Sequence, residues 1–103
     1  MIKRTHTCGE LSTSNEGDKV SLNGWISKRR DLGGLIFFDL RDRYGITQIV
    51  FDDKQNASSF NIAKKLGFED VIGISGTVIK RPSKAINNKM HTGRIDIAVE
   101  KII

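Results

Sequence analysis

Residues 19–51 read KVSLNGWISKRRDLGGLIFFDLRDRYGITQIVF, and their pattern is the strongest evidence for the fold. Its apolar side chains alternate with polar ones in three runs, which begin near Lys19, Leu35 and Ile46. Alternation with a period of two is typical of strands, because successive side chains of a strand point to opposite faces. The paired glycines Gly33 and Gly34, and the segment 42–45, are turn signals between the runs. The stretch therefore predicts three strands joined by two short turns.

The alternation also assigns a face to each side chain of these strands. The residues predicted to point inward are Val20, Leu22, Gly24 and Ile26, then Ile36, Phe38 and Leu40, then Thr47, Ile49 and Phe51. Phe37 and Gln48 fall on the opposite face. Because Phe38 follows Phe37, a shift of one residue in register would exchange the roles of the two rings.

The remaining sequence predicts one helix and two further strands. Residues 56–66 have helical spacing, with Asn56 placed to cap the helix and Gly67 placed to end it. A strand is predicted over 71–79, followed by a basic loop over 80–92. The last strand is predicted to begin near Gly93, with alternate residues inward (Ile95, Ile97, Val99) and outward (Arg94, Asp96, Ala98).

This order predicts an all-β barrel with one helix, an OB-fold of five strands with the helix between strands three and four. Residues 1–18 are expected to form an N-terminal lead-in packed on the barrel, and residues 19–103 to form the OB-fold domain. Such barrels bind oligonucleotides on the face of strands two and three, between the loops that join strands one to two and four to five.

Charge is concentrated in those two loops. The chain has 103 residues and a formal net charge of +5. No acidic residue lies between Asp70 and Asp96, whereas the basic residues Lys80, Arg81, Lys84, Lys89 and Arg94 do. The run Lys28-Arg29-Arg30 is the second cluster. Charge alone is equally consistent with an anionic partner and with two solvated loops.

The composition limits the class of protein. A single cysteine, Cys8, cannot form an internal disulfide and fits a reducing cytosol, so a cytoplasmic location is expected. No apolar run approaches the roughly 20 residues that cross a bilayer, so no membrane association is predicted. No metal-ligand cluster, phosphate-binding glycine loop or catalytic constellation is present, so no catalytic residue and no cofactor is assigned to this chain.

Candidate binding residues come from the outward face and the basic loops. Phe37 would offer a platform for stacking a base, unless another segment covers it as core. Gln48 could read the edge of an unpaired base, and Arg30 could make bidentate bonds to phosphate or a base. Lys28 and Arg29 would supply a general positive field. Asp96 would either accept a hydrogen bond from a base or pair with Arg81 or Arg94.

The segment 29–43, RRDLGGLIFFDLRDR, resembles the RRRDxGGxIFxDLRDR motif of bacterial aspartyl-tRNA synthetases. Residues 4–11, RTHTCGEL, are similar to the N-terminal RTHxCGEL of that family, and residues 45–52, GITQIVFD, also fit it. The resemblance covers essentially the whole chain. It implies the N-terminal anticodon-binding domain of a class II aspartate–tRNA ligase, whose catalytic motifs are not in these 103 residues.

The resemblance implies roles for individual residues. Phe37 would stack on the central uracil of the anticodon GUC, and Arg30 and Gln48 would recognise that uracil and its neighbours. Arg81 and Asp96, which stands where the family more often has Glu, would contribute at the outer positions. The partner would be the anticodon loop of tRNA(Asp), with the basic residues Lys28, Arg29 and Lys84 also at the RNA.

The resemblance also implies properties of the longer enzyme. That enzyme would use ATP and Mg²⁺ and form a homodimer, whereas the isolated domain is expected to be a monomer. Two alternatives stay open: a free-standing OB protein that binds single-stranded nucleic acid without sequence preference, and a protein-interaction barrel.

Overall fold

The computed structural model describes residues 3–102, so Met1, Ile2 and Ile103 of the predicted segments 1–18 and 19–103 lie outside the described residues. The elements are, in order, β1 (Lys19–Asp31), β2 (Leu35–Asp42), β3 (Gly45–Asp52), α1 (Ala57–Ala63), β4 (Val71–Lys80) and β5 (Ile95–Ile102). Short 3-10 helices at Thr13–Asn15 and Ser83–Ala85 lie before β1 and between β4 and β5. The predicted order of three strands, one helix and two strands is confirmed.

The strands close into a barrel in the order β1-β2-β3-β5-β4, with β4 also paired to β1. Four of the pairings are antiparallel, and β3 and β5 are parallel, with Ile49 opposite Ile97 and Val50 opposite Ala98. A closed barrel leaves no unpaired strand edge. The parallel β3–β5 pairing is important for function, because it places the outer face of β5 beside that of β3.

The predicted faces of the first three strands are confirmed. Ile36, Phe38 and Leu40 are fully buried in the barrel, whereas Phe37 between them is half-buried on the outer face. Phe38 meets Phe51 edge to face inside the barrel, with the ring centroids 5.5 Å apart. The register that makes Phe37 a surface residue is therefore the one that fills the core.

The N-terminal segment contributes two residues to this core. Cys8 and Leu11 are both fully buried. Burial raises the pKa of the Cys8 thiol, and the nearby Asp42 carboxylate adds to the rise. The burial of Leu11 was not predicted, since one apolar residue in a polar segment forms no periodic pattern.

A β-bulge in β1 was not predicted. Ile26 pairs with Leu40 and Lys28 with Asp39, so Ser27 is an extra residue on β1. Strict alternation would have continued the inward face of Ile26 through Arg30. Because the bulge reverses the alternation, Arg30 instead pairs with Phe37 and shares its outer face.

The helix is shorter than predicted. Asn56 caps it as expected, its side-chain oxygen accepting from the Ser59 backbone N–H at 3.1 Å. However, α1 ends at Ala63, and the next turns tighten to three-residue spacing, with the Leu66 N–H donating to the Ala63 carbonyl at 3.1 Å. Gly67 does not end the helix; its N–H instead donates to Asp70 Oδ2 at 2.9 Å.

The last strand begins at Ile95 rather than near Gly93. Gly93 lies in a tight turn, where its N–H donates to the Met90 carbonyl at 3.1 Å and its own carbonyl accepts from Asn87 at 3.0 Å. A Cβ at this position would come within 1.7 Å of the Asn87 carbonyl oxygen. Only glycine fits here, so the residue closes the loop and the strand starts after it.

No helix among residues 3–102 is long and apolar enough to span a membrane.

Candidate nucleic-acid interface

Two adjoining cavities lie on the outer face of β2 and β3, on either side of Phe37. The first, the Phe37 cavity, has a volume of about 300 Å³. The predicted site residues that line it are Lys28, Arg30, Phe37, Gln48, Arg81 and Lys84. The second, the Asp96 cavity, has a volume of about 310 Å³ and shares Arg30, Phe37 and Gln48 with the first. The structure thus brings together all but one of the predicted residues.

The exception is Arg29. Its partner across the sheet is Phe38, so it falls on the opposite side of β1 from Arg30. Its guanidinium lies 3.5 Å from the Asp31 carboxylate, and it lines neither cavity. Trp25, an exposed aromatic residue on β1, also lines neither cavity.

Arg30 and Phe37 form one composite surface. They are direct partners across the β1–β2 ladder, and the Arg30 guanidinium carbon lies 5.1 Å from the centre of the Phe37 ring. At this distance the cation is attracted to the face of the ring. The pair therefore presents a planar cation over an aromatic ring, and both groups can contact a nucleotide.

A hydrogen-bonded cluster joins Gln48 on β3, Asp96 on β5 and Arg81, the residue that follows β4. Gln48 Nε2 donates to Asp96 Oδ1 at 3.0 Å, and Arg81 Nε donates to the same oxygen at 2.8 Å. The parallel pairing of β3 with β5 brings Gln48 to Asp96, and the antiparallel pairing of β4 with β5 brings Arg81. The predicted salt bridge of Asp96 is therefore formed with Arg81 and not with Arg94.

Arg81 and Asp96 are shielded from the solvent. Their side chains are only 4% and 9% exposed, although both lie on the outside of the barrel. The connection between β4 and β5 covers them, and Arg81 Nη1 holds it by donating to the Ala85 carbonyl at 3.2 Å. Arg81 therefore does not contribute to a diffuse positive field but is fixed in one orientation.

One nitrogen of this buried guanidinium has no hydrogen-bond partner. Arg81 Nη2 is buried and donates no hydrogen bond to any of residues 3–102. A buried donor without a partner costs about 1–3 kcal/mol. Arg81 also lines the Phe37 cavity.

Burial raises the pKa of the Asp96 carboxyl above its usual range. The Arg81 guanidinium and the hydrogen bonds from Arg81 and Gln48 lower it in part, but desolvation is the larger effect. The ion pair with Arg81 is what makes a charged carboxylate tolerable at this depth.

The rim of the Phe37 cavity is positively charged. Lys28, Arg30 and Lys84 are exposed, and within the described residues 3–102 none of them is in a salt bridge. These cations can therefore neutralise phosphates without first breaking an ion pair.

Four residues that line the Phe37 cavity were not assigned as site residues from the sequence: Asp39, Ala85, Asn87 and Met90. Asp39 shares the outer face of β2 with Phe37, so the alternation already contained its position. The other three come from the β4–β5 connection, whose path over the sheet depends on the contacts of Arg81 and Gly93 and has no periodic signal.

Comparison with known proteins identifies the family of the chain. A family model described as "OB-fold nucleic acid binding domain" (tRNA_anti-codon) matches residues 20–103. The aspartate–tRNA(Asp/Asn) ligase of Salinibacter ruber is 46% identical over 99 residues, which are 96% of this chain and 16% of that protein. The same enzyme from Bacillus mycoides is 46% identical over 102 residues, 99% of this chain and 17% of that protein.

A solved structure of another tRNA synthetase has a similar fold at lower sequence identity. Asparaginyl-tRNA synthetase from Pyrococcus horikoshii, complexed with asparaginyl-adenylate, superposes with a TM-score of 0.81 at 32% identity. The match covers 100% of this chain and 22% of that one. The chain thus spans about a sixth of the length of the curated relatives it matches.

Proposed function

Because the chain belongs to the OB-fold nucleic acid binding domain family tRNA_anti-codon, we propose that it is the anticodon-binding domain of an aspartate–tRNA ligase and reads the triplet GUC in the loop of tRNA(Asp). The observation that carries this proposal is the Phe37 cavity. It combines a half-buried aromatic ring, a fixed amide and a buried guanidinium whose Nη2 has no hydrogen-bond partner among residues 3–102.

Each part of the cavity has a task in this proposal. The central base stacks on Phe37, which contributes about 1–3 kcal/mol. Gln48 and Arg81 present hydrogen-bonding groups to base edges, and both are held in place by Asp96. Asp96 thus acts as a positioning residue, and its shorter side chain relative to Glu is compatible with this role.

The exposed cations hold the RNA backbone. Lys28, Arg30 and Lys84 surround the opening of the cavity and would neutralise phosphates of the loop. Specificity comes from the base contacts, and salt-sensitive affinity comes from these cations. Arg29 contributes only to the general field, since it lies outside the cavities.

The longer enzyme would activate aspartate with ATP and Mg²⁺, outside the residues present here. We propose that it is a cytoplasmic homodimer and that the isolated domain is a monomer. A sequence-indifferent single-stranded nucleic-acid-binding protein is less well supported, because such proteins use several stacking aromatics. Phe37 is the one aromatic that lines the two cavities in the described part of the chain.

A paired titration tests this proposal. The chain is titrated with a hairpin RNA whose seven-nucleotide loop carries GUC, and with the same hairpin in which the central U is replaced by A. We expect the first to bind about tenfold or more tightly, equivalent to about 1.4 kcal/mol. A third hairpin with inverted stem pairs should bind like the first. Equal affinity for the U and A loops would contradict base-specific reading.

A further inference from the structure

A third cavity, the Tyr44 cavity, continues the same outer face toward the β2–β3 turn. It has a volume of about 430 Å³, shares Met90 with the Phe37 cavity, and is lined by Arg41, Arg43 and Tyr44. Phe37, Asp39 and Arg41 follow one another on the outer face of β2. Four residues of strand span about 13 Å. The Tyr44 cavity therefore lies about 13 Å from Phe37 along β2, on the same outer face of the strand.

Basic residues that form no salt bridge lie in and beside the cavity. Lys89 and His91 line it together with the two arginines, and Arg4 lies over the Tyr44 ring. None of Arg4, Arg41, Arg43 and Lys89 forms a salt bridge with another of residues 3–102. A cluster of unpaired cations repels itself and attracts an anion.

The one carboxylate in the cavity is occupied by backbone donors. Asp42 Oδ2 accepts from the Cys8 N–H at 2.8 Å, and its Oδ1 accepts from the N–H groups of Tyr44 and Gly45 at 2.8 and 3.1 Å. Asp42 therefore shapes the turn and does not pair with the neighbouring arginines.

Tyr44 displays two guanidinium groups. The ring is 54% exposed, and the guanidinium carbons of Arg4 and Arg43 lie 5.3 and 5.6 Å from its centre. Contact with the ring restricts both cations, so they lose less conformational freedom when they bind a phosphate.

The turn itself is held firmly by the N-terminal segment. A Cβ on Gly9 would come within 2.2 Å of the Tyr44 carbonyl oxygen, so the two backbones are in close contact. Thr47 Oγ1 donates to the Cys8 carbonyl at 2.6 Å, and Thr92 Oγ1 donates to the Ile46 carbonyl. These bonds fix the 89–91 loop beside the turn, so the cations converge before any ligand arrives.

From these observations we infer that the Tyr44 cavity binds backbone phosphates of the RNA strand that lie beyond the triplet, at least two nucleotides from the base on Phe37. This inference rests on the proposed function and extends it. The shape and charge favour a phosphodiester chain, because the surface continues the base-binding groove and offers cations with only one exposed aromatic ring. Arg43 and Lys89 are the residues whose removal tests it.

The test compares the double variant Arg43→Ala/Lys89→Ala with the single variant Lys65→Ala. Lys65 is an exposed cation after α1 and lines none of the three cavities. The probes are the GUC hairpin, followed by fluorescence anisotropy, and the trinucleotide GUC, followed by NMR shift titration. We expect the double variant to bind the hairpin at least about fivefold more weakly. Its slope of log affinity against log salt should fall by about 1.4, for two single-strand phosphate contacts.

The trinucleotide should bind the double variant and the original chain equally, because it cannot reach the Tyr44 cavity. Hairpin affinity that matches Lys65→Ala would overturn the inference, and so would an equal loss for both probes. Failure of the original chain to bind either probe would overturn the proposed function as well. If hairpin affinity depends on Phe37 but not on Arg43 and Lys89, this inference alone is overturned.

Discussion

Phe37→Ala should weaken binding of the GUC hairpin by about 5- to 150-fold while leaving the chain folded. The expected loss corresponds to about 1–3 kcal/mol for one stacked base. The ring is half-buried on the outer face of the barrel and fills no part of the core, so its removal leaves no internal cavity. Fluorescence anisotropy measures the affinity, and thermal unfolding by circular dichroism measures the stability.

Two control variants distinguish stacking from packing. Phe37→Tyr keeps the ring and should keep most of the affinity. Phe38→Ala removes the neighbouring ring, which is fully buried, and should cost about 3–5 kcal/mol of stability. A Phe37→Ala chain that binds RNA normally, or that loses as much stability as Phe38→Ala, would contradict the role given to Phe37.

Arg81→Met should be the most destabilising change at the site. It keeps most of the packed stem but removes the guanidinium that pairs with the buried Asp96 carboxylate at 2.8 Å. Removal of one partner from a buried ion pair costs about 3–5 kcal/mol, because the remaining charge is uncompensated. In a domain of about this size the melting temperature should fall by at least about 12 °C. Thermal unfolding at neutral pH measures the effect.

The loss of stability in Arg81→Met should increase with pH. Burial already raises the pKa of Asp96 in the folded chain, so its carboxyl favours folding most at low pH, and this contribution is lost as pH rises through the folded pKa. Loss of Arg81 raises that pKa further, since the guanidinium lowers it. The gap in stability between the original chain and Arg81→Met should therefore be smallest in acid and widen as pH rises.

The double variant Arg81→Met/Asp96→Asn completes this test. It removes both charges and should recover much of the stability that Arg81→Met loses. A penalty that is unchanged in the double variant, or independent of pH, would show that Arg81 stabilises the fold through packing alone.

The alternation of apolar residues was sufficient to predict the barrel and the face of Phe37. Side chains such as Ile36, Phe38 and Leu40 must all be buried together, and only one register does so. The side of the sheet that carries Gln48 followed from the same rule. These predictions succeeded because they depend on local periodicity, which the sequence contains directly.

The details that failed depend on contacts between distant segments. The bulge at Ser27 is set by the pairing of β1 with β2, and it brings Arg30 onto the face of Phe37. The burial of Arg81 follows from its bonds to Asp96 and Ala85. A count of charges could not predict this burial, because it contains no information about which acid lies across the sheet.

Amide chemical-shift mapping determines directly whether RNA binds along the outer face of β2 and β3. The ¹⁵N-labelled chain is titrated with the GUC hairpin and the shift of every resolved amide is followed. We expect the largest changes at Phe37, Gln48 and Ala85, with smaller ones at Tyr44 and little change along α1. If the largest shift changes occur on α1 and at the exposed Phe68, and the Phe37 cavity is unaffected, the RNA does not bind along this face.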